Sequence, residues 1–241
     1  MTSSENSAAD NSLFTRPVLR PFEPDDLARM NAAYDLTWGW EIDPDRSATE
    51  RRALGEAYQI ANLLKSDFIR VAALEDGRAG ALMCARLGLP ETEPATDGLR
   101  RGLTPAMRRA YTEIRRAREI ELGSSGLGRD VLEFEAGITA VNKGMLAELM
   151  NREAAAKAPA ELVYLIAHPD ARGRGCASAL LRAFEAECRA AGHPRAMLFT
   201  DDHCNRGIYL RRGWAISETD RWDAGGEAGS IESYLFTKRF A

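Results

Sequence analysis

Residues 171–177 read Ala-Arg-Gly-Arg-Gly-Cys-Ala, between an apolar run and a segment of helical periodicity. Glycines at 173 and 175 remove Cβ atoms, so consecutive backbone N–H groups can converge on an anion at the positive end of a following helix. Arg172 and Arg174 add fork-shaped, charge-assisted donors for phosphate oxygens. Arg172, Gly173, Arg174, Gly175, Cys176 and Ala177 therefore predict a pyrophosphate cradle; the plainer reading is a glycine turn with two solvated arginines. A Walker loop is excluded, because Gly175-Cys176-Ala177 lacks the Gly-Lys-Ser/Thr ending. A dinucleotide fingerprint, Gly173-x-Gly175-x-x-Ser178 with Asp201 after the next strand, lacks its third glycine and has too little chain behind it for a second nucleotide-binding half. A coenzyme A loop is the third reading.

The elements that must position this loop are legible on both sides of it. Leu162 to Ala167 is a buried-strand pattern ending at His168-Pro169. Cys176 to Ala191 places Leu180, Leu181, Phe184 and Cys188 on one helical face, stopped by Gly192. Ala196 to Thr200 predicts a strand, Asn205 to Arg212 a short helix, and Trp214 to Trp222 and Ile231 to Phe240 two strands around Gly225-Gly226. Upstream, a strand over Phe14 to Arg20 precedes a helix carrying Leu27, Met30 and Tyr34. The capping box Ser47-x-x-Glu50 opens a helix through Leu54, Tyr58, Ala61 and Leu64. Phe68 to Leu74 and Ala79 to Leu87 form a hairpin around Asp76-Gly77. From Gly88 to Pro159 the character changes: a Pro/Gly loop, a helix opened by Thr104-Pro105, a glycine-rich break at Gly123 to Gly128, and a mixed segment in which helix is expected from Lys143 onward.

The cradle resembles the signature of the GNAT superfamily of acyl-CoA-dependent N-acyltransferases, Gln/Arg-x-x-Gly-x-Gly/Ala after a strand, matched by Arg172 to Ala177. A second landmark of that family, Tyr-x-x-x-Gly-Phe/Trp on a short helix, is similar to Tyr209-Leu210-Arg211-Arg212-Gly213-Trp214. The asparagine that often precedes this tyrosine by about seven residues is replaced here by Asp202, with Asn205 closer to the tyrosine. The resemblance implies an α/β fold with a mixed, mostly antiparallel central sheet flanked by helices, in one domain over 13–241 behind a disordered tail at 1–12. It implies acetyl-CoA as co-substrate and no metal. It also implies one strand and a helical turn between hairpin and coenzyme strand, so much of about 88–160 is an extra helical insertion, expected to cover the acceptor side.

Acyl transfer to an amine sets two demands. An amine of pKa about 10 is only about one part in a thousand neutral at pH 7, so a base must take its proton. Glu161 occupies a position where some family members carry that base; Glu133 and Glu135 are alternatives, and an exposed strand-entry glutamate is the plainer reading. The leaving thiolate is improved by a proton donor, and the resemblance assigns this to Tyr209, which could instead be an ordinary core aromatic. It also implies that backbone N–H groups near Ile166 and Ala167 polarise the thioester carbonyl. Cys204 beside His203 has the residue types of a thiol nucleophile, but neighbours on an extended chain point to opposite faces. The same cluster with Asp201 lacks a second group of metal ligands. The competing functions are a non-catalytic acyl-CoA-binding or regulatory module and a dinucleotide-binding protein.

Composition bounds these readings. The 241 residues carry 32 Lys+Arg against 36 Asp+Glu, a net charge of -4, so no overall positive field would hold a nucleic acid. The arginines at 100, 101, 108, 109, 115, 116 and 118 are the one basic concentration; a solvated helix face is expected, with docking of an acidic substrate or partner as the alternative. Apolar runs are far shorter than the roughly 20 residues that span a bilayer. The polar N-terminus has no signal-peptide pattern, and the four cysteines lack a pairing pattern, so a reducing, cytoplasmic setting is expected. The expected partner is a small-molecule or peptide amine, without nucleic acid or membrane, and a homodimer is compatible with the sequence.

Overall fold

The computed structural model describes residues 16–38, 47–90, 93–124, 126–153, 159–223 and 230–240, with side chains over 126–153 described only from 136 to 152. The N-terminal tail, Gly225-Gly226 and the side chains of Glu133 and Glu135 lie outside the described residues. Apolar runs bounded by turn residues form strands β1 (Val18–Arg20), β2 (Phe68–Ala73), β3 (Ala79–Arg86), β4 (Ala160–Ala167), β5 (Arg195–Asp201), β6 (Ala215–Asp223) and β7 (Ser230–Arg239). They make one sheet in the order β1-β2-β3-β4-β5-β7-β6, antiparallel except between β4 and β5. Among the described residues that topology offers no second parallel half for a dinucleotide.

The helices are α1 (Asp26–Trp38), α2 (Ala48–Lys65), α3 (Pro105–Ser124), α4 (Gly126–Glu153), α5 (Cys176–Ala190) and α6 (Gly207–Leu210). Both halves of the Ser47–Glu50 capping box are made, fixing where α2 starts. On one face of the sheet α5 buries Leu180, Leu181, Phe184 and Cys188 against Ala160, Leu162 and Leu198. On the other, α1 and α2 lay Met30, Ile60 and Leu63 over Ile69, Leu82 and Cys84, while α4 lays Met145 and Leu149 over Met197 and Leu235. Among the described residues no helix is long and apolar enough to cross a membrane.

Two expectations are corrected. No strand stands between the hairpin and β4 among the described residues: β3 itself pairs with β4, from Ala81↔Ala167 to Arg86↔Glu161, and the intervening chain makes only the bridge Pro94↔Arg100. Helix also begins at Gly126 rather than Lys143, giving 28 residues of α4: Val141 to Leu149 anchor the helix on the sheet, and propagation from an anchored stretch adds one hydrogen bond per residue despite the low propensity of glycine.

Buried polar residues decide which face receives the insertion. Arg70, fully buried in β2, donates to Asp97 at 2.8 and 2.9 Å and to the Arg100 carbonyl at 2.7 Å. Glu187, buried on α5, accepts from the Thr96 N–H and hydroxyl and pairs with Arg101 at 2.8 Å. The Ile69 N–H then bonds the Arg101 carbonyl at 2.8 Å, beyond the β1 pairings, and Leu103 joins the core of the α1–α2 face. The chain thus crosses the sheet edge from the α5 side, where Ala95 is buried, to the α1–α2 side. The arginine run is largely spent on the fold: Arg100 and Arg108 bond backbone carbonyls, and Arg101, Arg115 and Arg118 make ion pairs.

Candidate active site

The parallel ladder joins Ala160↔Ala196, Glu161↔Met197 and Leu162↔Leu198 and then stops, although β4 continues to Ala167 and β5 to Asp201. Past Leu162 the two strands part, and the β4 backbone presents unpaired groups along one side. Which groups follows from alternation in the β3–β4 ladder. The His168 N–H bonds the Gly80 carbonyl at 2.9 Å, so the pairs Leu82↔Ile166 and Cys84↔Tyr164 are the hydrogen-bonded ones. The N–H groups of Leu165 and Ala167 therefore open into the gap, whereas that of Ile166 turns toward β3. Of the two predicted backbone donors, Ala167 is so placed, Ile166 is not, and Leu165 was missed because ladder phase is set by the neighbouring strand.

The register also slips between Cys84 and Ala85, leaving Val163 as an extra residue in β4. Such a bulge changes the alternation. Ala160 and Leu162 face α5, while Tyr164 and Ile166 face α1 and α2. Glu161 lies on the α1–α2 side of the bulge, where it is ion-paired with Arg86. About 13 Å of strand separate its Cα from that of Leu165, so its carboxylate can serve the gap only through an intervening water.

Tyr209 lies in the opposite layer, packed against Trp214 and Phe236 at ring-centroid distances of 6.3 and 5.9 Å. Burial pushes its hydroxyl well above the usual range, with Cys204 and Asp201 adding to the effect, so it is a protonated donor. The Cys204 thiol is pushed up to about 11, first by burial and then by Asp201. It is un-ionised near neutrality, a poor nucleophile. The His203 ring approaches Asp202 at 3.6 Å, and its backbone N–H donates to an Asp201 carboxylate oxygen at 3.0 Å.

The short helix bearing Tyr209 is held by Glu185, a buried carboxylate on α5. It accepts from Arg212 at 3.0 and 3.2 Å and from the Trp214 indole at 3.2 Å, and it pairs with Lys238 at 3.0 Å. Burial alone would raise Glu185, but these cations outweigh it and hold the carboxyl below its ordinary range. The signal for it was an acid inside the apolar stripe of α5.

At the cradle, Gly173 and Gly175 adopt φ of +77° and +76°, and a Cβ on either would meet nothing within 4 Å. Gly175 caps α5 without any side-chain bond, and the first bond back to it comes from the Ala179 N–H. The opening N–H groups of α5 are therefore available to an anion. The exposed loop carrying Arg172 and Arg174 is anchored by Asp170, whose carboxylate takes both contacts from Arg29 of α1 at 2.6 and 2.7 Å. The Arg29 guanidinium holds that carboxyl below its usual range, His168 adding to it.

Residues 140–217, from α4 through the cradle to β6, match the family model described as an acetyltransferase (GNAT) domain. No curated protein matches the chain. Among solved structures, an acetyltransferase of Corynebacterium glutamicum described as histone acetyltransferase HPA2 and related aligns with a TM-score of 0.52 at 15% identity, covering 94% of this chain and 98% of that one. The polyamine N-acetyltransferase of Drosophila melanogaster aligns at 0.51 and 15%, covering 92% and 99%. A GCN5-related N-acetyltransferase from Rhodopseudomonas palustris aligns at 0.50 and 16%, covering 96% and 100%. Splayed parallel strands and the glycine turn lie within the region that matches the acetyltransferase (GNAT) domain model, and the chain as a whole has the fold of the GNAT acetyltransferase structures it aligns with.

Proposed function

We propose that the protein transfers an acetyl group from acetyl-CoA directly to a primary amine of a small molecule or peptide. The observation that carries this reading is the gap between β4 and β5, with Tyr209 in the α5 layer and Glu161 on the α1–α2 face. A leaving group and an attacking group can then be served from opposite sides, as direct displacement requires. Two of the solved structures of this fold bear names of enzymes acting on polyamine or agmatine, which supports an amine acceptor.

Acetyl-CoA supplies a thioester carbonyl already activated toward amines. The opening N–H groups of α5 bind its pyrophosphate, with Arg172 and Arg174 adding charge-assisted contacts. Cys176 and Ala177 contribute backbone N–H groups, and Gly173 and Gly175 leave room for the phosphates to approach. The Leu165 and Ala167 N–H groups polarise the thioester and hold the tail along β4. Glu161 takes the amine proton through water as the N–C bond forms. Tyr209 donates to the sulfur as the C–S bond breaks, leaving an amide and free CoA thiol.

The test is CoA release from acetyl-CoA across a panel of primary amines, with the acetylated product identified by mass. Amine-dependent release with a matching product is expected. Micromolar coenzyme binding without turnover on any amine would instead establish an acyl-CoA-binding module.

A further inference from the structure

Beside the gap, on the α1–α2 face, four aromatic rings form a closed circuit. Tyr34 lies 5.4 Å from Trp38 and 5.2 Å from Tyr58 between ring centroids, and Tyr164 lies 6.1 Å from Trp38 and 5.7 Å from Tyr58. Tyr34 and Trp38 are one helical turn apart on α1, and Tyr58 comes from α2. Tyr164 comes from β4, turned to this face by the bulge at Val163, one residue before Leu165 and its gap-facing N–H. Tyr34, Trp38 and Tyr58 are partly exposed, so these three rings are reachable from solvent, whereas Tyr164 is buried.

Tyr164 is only 5% exposed, and its hydroxyl has no hydrogen-bond partner among the described residues. A buried phenol ordinarily finds one, and leaving it without is destabilising. Fixed at this position by the strand and shielded from water, that oxygen keeps an unused acceptor position beside the rings. Burial, followed by Tyr58, Tyr34 and Cys84, raises its pKa, so it stays a neutral phenol. The surrounding π faces are electron-rich and attract an organic cation, more strongly where water is excluded. Glu161 on the same face is compensated by Arg86, which leaves the rings and the phenol oxygen to select the ligand.

We propose that Tyr34, Trp38, Tyr58 and Tyr164 form the acceptor seat and that it takes a primary alkylammonium, held by cation–π contact with one N–H donated to Tyr164 Oη. The seat's role as acceptor site rests on the acyl-transfer reading; its preference for a cation does not. Calorimetry on the full chain with CoA present, and no acetyl-CoA, would compare n-butylammonium with neutral n-butanol. The ammonium should bind at least tenfold tighter. Trp38→Leu or Tyr58→Leu should erase about tenfold of that preference, while Trp38→Phe, which keeps a ring, should retain most of it. Tyr164→Phe should weaken the ammonium severalfold without lowering the melting temperature, because the hydroxyl it removes has no partner in the protein. Equal binding of n-butanol, tighter binding of aniline, or unchanged ammonium binding in both Trp38→Leu and Tyr164→Phe would overturn the seat. Selective ammonium binding without acetyl transfer on any amine would uphold the seat and sink the transfer reading. Alkylamine turnover without the cation preference would do the reverse.

Discussion

A Cβ built on Gly137 in α4 would stand 2.5 Å from Cζ2 of Trp222 in β6. Only glycine lets the helix lie this close to the indole of the edge strand. Farther along α4, Arg152 is ion-paired with Glu218 and donates to the Ser217 carbonyl at 3.2 Å. Gly137→Ala would gain about 1 kcal/mol of helix propensity, but the clash should reverse the sign and leave a net loss of about 1–3 kcal/mol. Urea unfolding measures this, and Trp222→Leu in the same background should recover part of the loss.

Gly175 is the sharper probe of the cradle. Its φ of +76° penalises any side chain, and a bulky one would stand over the opening N–H groups of α5. Gly175→Trp should lower acetyl-CoA affinity at least about tenfold in calorimetry, at a folding cost of about 1–2 kcal/mol. Unchanged affinity in the folded variant would move the pyrophosphate elsewhere.

Tyr209→Phe keeps the ring against Trp214 and deletes only the donor. Turnover should fall about 10²-fold with coenzyme affinity nearly unchanged. Cys204→Ala should retain substantial activity, since a thiol pushed up to about 11 supplies almost no thiolate at pH 7. An acylated Cys204 trapped without acceptor would establish a two-step mechanism instead.

Glu161→Gln should depress the rate most at low pH, where neutral amine is scarcest and the base matters most. The pH–rate profile from pH 6 to 9 reads this directly. A profile parallel to the parent's would reduce Glu161 to the ion pair it makes with Arg86.

Glu185 carries the acid sensitivity of the α6 region. Its folded pKa is held below the unfolded value, so its stabilisation is present above about pH 4.5 and is lost as pH falls through the folded pKa. Glu185→Gln should lose about 2–4 kcal/mol near neutrality, because Arg212 and Lys238 keep their charges without a counterion. The variant should also show a shallower loss of stability below pH 4.5 than the parent, measured by chemical denaturation at each pH.

Local patterns determined much of this protein. The glycines at 173 and 175, the Ser47–Glu50 box, the stripe of α5 and the Asp76-Gly77 hairpin each depend on residues within a few positions, so their signals survive in one dimension. They located the glycine turn that opens α5, and they placed Tyr209 on its short helix. The sequence did not reveal which backbone donors face the gap, because the phase of β4 is fixed by β3 and by one bulge residue, Val163. Nor did it foretell which face the insertion covers, since that depends on pairing Arg70 with Asp97 and Glu187 with Arg101 across 27 and 86 positions. The circuit of Tyr34, Trp38, Tyr58 and Tyr164 was likewise beyond reach, because two helices and a strand must pack before the rings meet. A residue's type and spacing fix what chemistry it can offer; register and packing, set by contacts distant in sequence, decide where that chemistry points.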